Sequence, residues 1–600
     1  MSDCDTFGAA TVSALSGSIA SRRVLFATLV VSTIGGLLWL AAVMLSAGGL
    51  DALDLAILAL FALTLPWLVI GFWNGAIGFL IMRFARDPVA LAVPVAKRIR
   101  GDEAIVASTG ILLCVRNEAP EPVIGRIEPL LNSLSASGYA DRFHLYVLSD
   151  TDDPAIAEAE AEGFAGVAER FDGRLGITYR RRTANLGYKA GNIQDFCERW
   201  GRDHVFAVIL DADSVMTTEA ILRLVRIMQA DPNLGILQGL VVGLPSTSAF
   251  ARIFQFGMRL GMRSYTIGGA WWQGDCGPYW GHNAVLRLAP FMAHCRLPPR
   301  PEGGPLGGYL LSHDQIEAVL MRRGGYEVRV LPEEDLGWEG NPPTLIEFIR
   351  RDLRWCQGNM QYWPFLTTPG LKPVNRYQIA FALIWFLGSP AWTALLALAT
   401  VAVARAADPA DIIRPNAGIA LFAILLFMTF ASKIATTIDV LSRPSARLAF
   451  GGTARFLASV AIETVFFLLL SPIMWFGHTF FLGGLLFGQT VGWQRQNRDD
   501  HAVSWSSATR HLWPHTLLGS AILGTLAFTM PAAIPYAAFI ALGPALAIPL
   551  AVITASPSVG LMLTQVGIGR LPEETAPPRF LQAPALPAVK QTTAVLSPTA

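Results

Sequence analysis

Apolar runs crowd both ends of this chain and leave a charged block between them. That layout constrains the fold more than any single motif. Val24–Ala47 and Leu55–Ile81 are each long enough to cross a hydrocarbon layer, which takes about 20 apolar residues. The first run is too long for a cleaved leader, and a second follows at once. Their connector holds Asp51 and Asp54 but no Lys or Arg, whereas Arg83, Arg86, Lys97, Arg98 and Arg100 follow the second run. The excess of positive charge on that side predicts that residues 1–23 and the charged block lie in the cytoplasm. Beyond the block, Ile379–Ala404 and Ile419–Ile438 read as spans, and Arg443, Arg447 and Arg455 mark the next loop as cytoplasmic. Phe456–Phe487 exceeds one span and is interrupted by Pro472 and Gly477, which predicts a span plus an interfacial helix, or a tight pair. Val491–Trp513 reads as a polar cytoplasmic loop; Leu517–Phe528 with its flanks and Ile534–Ile553 read as a last hairpin. The expectation is seven or eight spans. Residues 24–82 and 376–556 form the membrane part around a soluble domain at 100–370, and a Pro- and Ala-rich tail at 571–600 is disordered.

Charge narrows the function classes. Lys plus Arg 46 against Asp plus Glu 45 leaves a near-neutral chain, which argues against nucleic acid, since that partner requires a concentrated basic face. Six cysteines include no Cys-x-x-Cys pair, and none has metal-ligand spacing. They read as small buried thiols in a reducing compartment.

The soluble block alternates strands and helices. Ile111–Val115, Leu145–Leu148, Gly176–Tyr179, Val205–Leu210, Leu237–Val242 and Tyr326–Leu331 are candidate strands; Glu219–Gln229 and Ala251–Arg263 are examples of the helices between. That order predicts an α/β domain with a largely parallel sheet. Successive strands run into Arg116-Asn117-Glu118, Ser149-Asp150, Arg180-Arg181-Arg182 followed by Asn185–Asn192, and Asp211-Ala-Asp213. In such a sheet, ligands bind beyond the carboxyl ends of the strands. Asp211 and Asp213 share a face where their strand runs out and suit a hard divalent cation, Mg²⁺ or Mn²⁺, that keeps positions for phosphate oxygens. Lys189, among glycines that let backbone approach a phosphate, suits a diphosphate. Asn117 and Asp150 offer directional polar groups to a base or ribose. Together these describe a site for a nucleoside-diphosphate sugar.

Farther on, Asp314 begins an apparent helix, Gln315–Met321, where it is either a helix cap or a general base. In Leu345–Gly358, Arg351, Arg354 and Trp355 fall at i, i+3 and i+4 on one helix face. Two guanidiniums there could neutralise a leaving diphosphate and the indole could carry a sugar ring; the same residues would also serve an interfacial helix.

Asp150, Asp211-Ala-Asp213, Asp314 and Arg351-Asp-Leu-Arg-Trp355 resemble, in order and spacing, the D, DxD, (E)D and QxxRW motifs of processive family-2 glycosyltransferases. Asn185-Leu-Gly-Tyr-Lys-Ala-Gly-Asn192, Trp280-Gly-His-Asn283, Ser312-His-Asp314 and Arg354-Trp-Cys-Gln-Gly-Asn359 are similar to the glucans biosynthesis glucosyltransferase H family. The resemblance covers roughly residues 20–560. It implies a GT-A fold, UDP-glucose as donor, inversion at the anomeric carbon, and a mainly β-1,2 glucan passed through the bacterial inner membrane to become an osmoregulated periplasmic glucan. By position it implies Asn117, Asp150 and Lys189 on UDP, Asp211 and Asp213 on the metal and diphosphate, and Asp314 as base. Arg354, with Arg351 beside it, would hold the pyrophosphate, while Trp355 and His282 would lie on the acceptor side. Partners so implied are the glucan chain, membrane lipid, acyl carrier protein and periplasmic glucan-processing proteins. Arg351 replaces the Gln of the general motif. The N-terminal extension is shorter than in long members, which implies that a regulatory role carried there is absent. Two rival readings share most of these features. One is a synthase of cellulose, hyaluronan or another β-glycan; the other is a nucleotide-binding glycan export channel without catalysis.

Overall fold

The computed structural model describes residues 17–301, 303–405, 413–492 and 498–578. Helices α1 (Ile19–Leu45) and α2 (Ala52–Phe84) open it. Asp51 and Asp54 start α2 with a reciprocal cap, each carboxylate accepting the other's backbone N–H at 2.9 and 3.1 Å.

The soluble domain follows as β1 (Thr109–Val115), α3 (Pro120–Ser135), β2 (Phe143–Ser149), α4 (Pro154–Arg170), β3 (Gly176–Arg181), α5 (Tyr188–Trp200), β4 (Phe206–Asp211) and α6 (Thr218–Ala230). Then come β5 (Leu234–Gly239), β6 (Val241–Gly243), α7 (Ala249–Gln273), β7 (Ala284–Arg287), α8 (Asp314–Arg323), β8 (Glu327–Leu331), β9 (Gly337–Glu339) and α9 (Leu345–Met360). Seven strands form one sheet in the order β3-β2-β1-β4-β7-β5-β8. All neighbours are parallel except β7, which runs antiparallel to both β4 and β5. Helices cover both faces, so β4 is apolar up to its last residue, Asp211: Phe206 to Leu210 are each at most 1% exposed. Burying side chains of that size contributes about 1.5–3 kcal/mol each.

Two expectations for the sheet need correction. The single strand Leu237–Val242 breaks at Leu240: β5 belongs to the main sheet, whereas β6 pairs with β9 in a separate two-stranded sheet. The four-residue β7 carries no strand-length pattern of its own; its pairing with β4 and β5 makes it a strand.

The membrane part resumes with α10 (Pro373–Arg405), α11 (Pro415–Ser442), α12 (Thr453–Leu486), α13 (Trp505–Thr529), α14 (Ile534–Ala545), α15 (Ala547–Thr554), α16 (Pro557–Val566) and α17 (Pro572–Thr575). Among the described residues, α1, α2, α10, α11 and α12 are the five helices long and apolar enough to cross a membrane. The pair spanning 531–554, bent by 58°, would make a sixth. The expected seven or eight spans thus compare with five or six candidates among the described residues. Helix α12 runs unbroken through Pro472 and Gly477, because flanking turns and neighbouring helices hold a proline-containing membrane helix together. Helix α13 begins inside the expected loop 491–513 and carries Arg510, His511 and His515 in its first half. The expected disordered tail also starts too early: Leu571 is buried and α17 is docked, while residues 579–600 lie outside the described residues, as do 1–16.

Soluble and membrane parts interlock along α7, which runs ten residues past its expected end. A methyl on Gly78 would overlap the Ser264 carbonyl, and one on Gly268 would overlap that of Asn74, so α2 and α7 touch backbone to backbone. Trp272 Nε1 donates to Asn74 Oδ1 at 2.9 Å across the same contact.

Candidate active site

The parallel strands β1 to β4 all end on one edge of the sheet, and their four following loops meet there. Asp150, just past β2, is 6% exposed and receives Arg182 through two bonds, Nε at 2.6 Å and Nη2 at 2.8 Å. Burial pushes its carboxyl up, against the pull of Arg182. Arg182 also donates to Leu186 O, Asn185 Oδ1 and Tyr188 O, which shapes the turn into α5. That turn closes only over glycine: Gly187 has φ +73°, and a methyl on Gly191 would overlap the Leu186 carbonyl.

The turn delivers Lys189. Its Nζ bonds the Asp211 carboxylate and donates to Gly281 O at 2.7 Å. Burial alone would lower this ammonium, but Asp211 raises it. Burial would likewise raise the Asp211 carboxyl; Lys189, then His282 and Arg498, outweigh it and hold the group at about 2. The turn after β4 is fastened by Ser214 N on Asp211 O at 2.9 Å and by Arg126 Nη1 on Ala212 O at 3.2 Å. Asp213 faces Arg498, 3.0 Å from Oδ1, and Arg498 reaches Glu118 Oε1 at 3.8 Å. Burial pushes the Glu118 carboxyl up to about 7 despite Arg498.

Asn117 lies at the same edge with φ +58°, but its amide is engaged by protein. Nδ2 donates to Asp152 Oδ1 at 2.6 Å, and Oδ1 accepts from the backbone of Asp152 and Asp153, each at 3.1 Å. It braces the loop after Asp150.

Gly281 joins this half of the site to the other. Its carbonyl takes Lys189, and the place where its Cβ would stand is 3.4 Å from Asp314 Cβ. Asp314 is the first residue of α8; His313 holds the cap position. The Asp314 carboxylate accepts from Ser312 Oγ at 3.1 Å, and among the described residues no backbone amide of α8 bonds it. The cap reading therefore gives way, leaving a carboxylate open to other work. Behind it, His313 Nδ1 and Glu317 Oε2 form a buried pair at 2.8 Å.

Helix α9 lies against this loop because Gly358 lacks a side chain; a Cβ there would sit 2.8 Å from Ser312. Arg351 stacks over Trp355 at 4.8 Å and donates to Asn341 Oδ1 at 3.0 Å. Burial lowers the Arg351 guanidinium. Burial first, and then Arg351, bring Arg354 down to about 10 although the carboxylates of Asp211 and Asp213 pull it up. Trp355 keeps 41% of its surface exposed. His282 is tied on both sides, Nδ1 to Ser214 Oγ and Nε2 to Glu339 Oε2, each at 3.3 Å.

All the expected site residues thus gather on one sheet edge and the helix crossing it. Sequence reasoning did not single out Arg182, Glu118, Arg498 or Asp352. Asp352, between the two arginines of α9, bonds His478 Nε2 on α12, and His478 Nδ1 meets Ser389 Oγ on α10 at 3.0 Å. Glu118 and Arg182 stood only inside the strand-end runs Arg116-Asn117-Glu118 and Arg180-Arg181-Arg182, and Asp352 only inside the Arg351–Trp355 stretch.

The donor set fits a divalent ion that shares its shell with substrate. Among the described residues no group of three or more His, Cys, Asp or Glu is arranged to hold a metal alone. Asp211 and Asp213 supply hard oxygen donors, and nucleotide oxygens with water would complete the shell.

Residues 111–294 match Glycosyl transferase family 2, and residues 206–434 match Glycosyl transferase family group 2. Curated relatives include the glucans biosynthesis glucosyltransferases H of Pseudomonas entomophila (strain L48), 34% identical over 89% of this chain, and of Pseudomonas aeruginosa (strain LESB58), 35% identical over 88%. The chain spans 63% of the length of each. Among solved structures, a mannosyltransferase from Pyrobaculum calidifontis in complex with GDP-Man and Mn²⁺ aligns over 62% of this chain and 99% of its own, at 16% identity and a TM-score of 0.35. With its mixed α/β sheet between apolar helices, this chain carries glycosyltransferase family 2 domains and is a homologue of the glucans biosynthesis glucosyltransferases H.

Proposed function

We propose that this protein is an inverting glucosyltransferase of the bacterial inner membrane. With its catalytic domain in the cytoplasm, it polymerises glucose from UDP-glucose into a β-1,2-linked glucan and passes the chain through its membrane part. The relatives' printed name supports the glucan, and one observation carries the chemistry. At Gly281, the Lys189–Asp211 pair and Asp314 stand on either side of the same residue, so a diphosphate and an acceptor hydroxyl could be held next to each other.

In this reading the acceptor oxygen bonds to the anomeric carbon as the bond from that carbon to the diphosphate breaks. The electron pair leaves with UDP, and Asp314 takes the hydroxyl proton. Arg354 and Arg351 oppose the charge that develops on the diphosphate, in a water-poor site where fixed cations act strongly. A divalent ion on Asp211 and Asp213 would add Lewis-acid neutralisation of the same leaving group. Asp150, fixed by Arg182, borders the nucleoside, and Trp355 offers an exposed ring to the acceptor sugar. A covalent enzyme intermediate is not needed: the nearby Cys114 thiol is pushed up to about 12 by burial and is no nucleophile.

The test is incorporation of labelled glucose from UDP-glucose by membranes bearing the protein, with Mg²⁺, Mn²⁺ or EDTA, followed by linkage analysis. Metal-dependent β-1,2-glucan is expected. A β-1,4 or mixed polymer would move the protein to another synthase. No turnover with any UDP-sugar despite nucleotide binding would favour an export channel.

A further inference from the structure

Both aspartates of the Asp211-Ala-Asp213 turn carry a protein cation, and the two cations are held differently. Lys189 sits in the first turn of α5, is fixed by the glycine turn before it, and has a second acceptor in Gly281 O. Arg498 comes from the polar loop between α12 and α13 and, among the described residues, has only Asp213 at 3.0 Å and Glu118 at 3.8 Å as partners. Arg126 and Arg351 line the same hollow as Asp213 and Arg498. A divalent cation placed on Asp213 would stand against Arg498 at contact distance, and like charges that close repel strongly in a partly buried site. One of the two must leave.

Resting on the metal-dependent reading above, we propose that Arg498 is a resident counter-cation of the metal site. It occupies Asp213 when the site is empty and is displaced by the divalent ion that accompanies the nucleotide sugar. Lys189 stays, because its helix and the Gly281 carbonyl hold it. Thr247 Oγ1 bonds Asp500, and Val491 N donates to Gln357 Oε1 of α9 at 2.7 Å. These contacts tether the loop on both sides of Arg498, so its displacement is local. The competition keeps the two carboxylates neutralised between turnovers and weakens binding of metal without donor.

The full chain in detergent or nanodiscs tests this by Mn²⁺ binding without nucleotide, read as loss of the free-ion signal in electron paramagnetic resonance. Arg498→Gln is expected to tighten Mn²⁺ binding at least about tenfold, and Arg498→Lys, which keeps the charge, to stay near wild type. Unchanged or weaker binding in Arg498→Gln, with an unaltered melting temperature, would overturn the proposal. Asp213→Asn separates the two readings. Loss of Mn²⁺ binding there leaves the metal site standing whatever Arg498→Gln does; wild-type Mn²⁺ binding in Asp213→Asn would overturn both.

Discussion

The two halves of the site are built in different ways. The half at the ends of β1 to β4 is held mainly within the soluble domain, by Arg182 on Asp150, Lys189 on Asp211 and Asn117 on its own loop, with Arg498 on Asp213 as its contact from the membrane part. The half that carries Asp314, Arg354 and Trp355 is braced from outside it. Asp352 of α9 bonds His478 in α12, Gln357 of α9 meets the loop that follows α12, and Arg322 at the far end of α8 pairs with Asp275. Asp275 in turn takes Arg23 of α1 at 2.6 Å and Lys372, just before α10, at 3.2 Å. On the proposed reading, the contrast makes donor binding a property of the sheet, whereas the placement of the proposed base and leaving-group clamp depends on the membrane helices.

The contrast breaks most sharply at the clamp. Arg354→Ala is expected to cut turnover by about a hundredfold to a thousandfold, as for loss of a preorganised group opposing developing charge, with UDP-glucose affinity changed far less. Steady-state kinetics, with kcat set against KM for UDP-glucose, would check it. Asp352→Ala tests the brace itself. Severing α9 from His478 should lower transfer about tenfold or more through misplacement of Arg354 and Trp355, while UDP binding stays at the wild-type value. Equal losses in both would erase the distinction between the halves.

A stability effect comes next. Glu573 of α17 is 5% exposed and takes Arg259 Nη1 of α7 at 2.9 Å and Trp338 Nε1 of β9 at 3.0 Å. Glu573→Ala leaves both donors without that acceptor and should destabilise the fold by about 3 kcal/mol, the low end for a broken buried pair, because Arg259 keeps Glu334 at 3.2 Å. A lowered melting temperature would report it. The smallest effect is pH-linked. Burial would lower His313, but Glu317 raises it above its ordinary 6.5. Its stabilising contribution is therefore full below about pH 6.5 and fades as pH rises through the raised value. The melting-temperature advantage of wild type over His313→Gln should accordingly shrink from pH 6 to pH 9.

The same division explains what was legible in the sequence. Asp150, Lys189, Asp211 and Asp213 follow apolar strands or glycine turns within a few residues, so local pattern locates them. Arg498 is nearly 300 residues from Asp213 along the chain, and its approach depends on how the chain returns from the membrane, which no local period encodes. Strand β7 was missed for a related reason, being only four residues paired by tertiary contact. The membrane boundaries slipped because hydropathy does not mark where a helix continues past its apolar part. The first part of helix α13, up to Trp513, and the docked segment from Leu571 lie in stretches whose composition reads as loop.

The central claim is that one site binds a nucleotide sugar on the sheet and transfers its glucose with Asp314 as base. UDP binding and glucose transfer from UDP-glucose, measured side by side in Asp314→Asn, test it most directly. The account predicts wild-type UDP binding with transfer reduced about a thousandfold, within the usual range for removal of a general base. Transfer at the wild-type rate in that variant would contradict it.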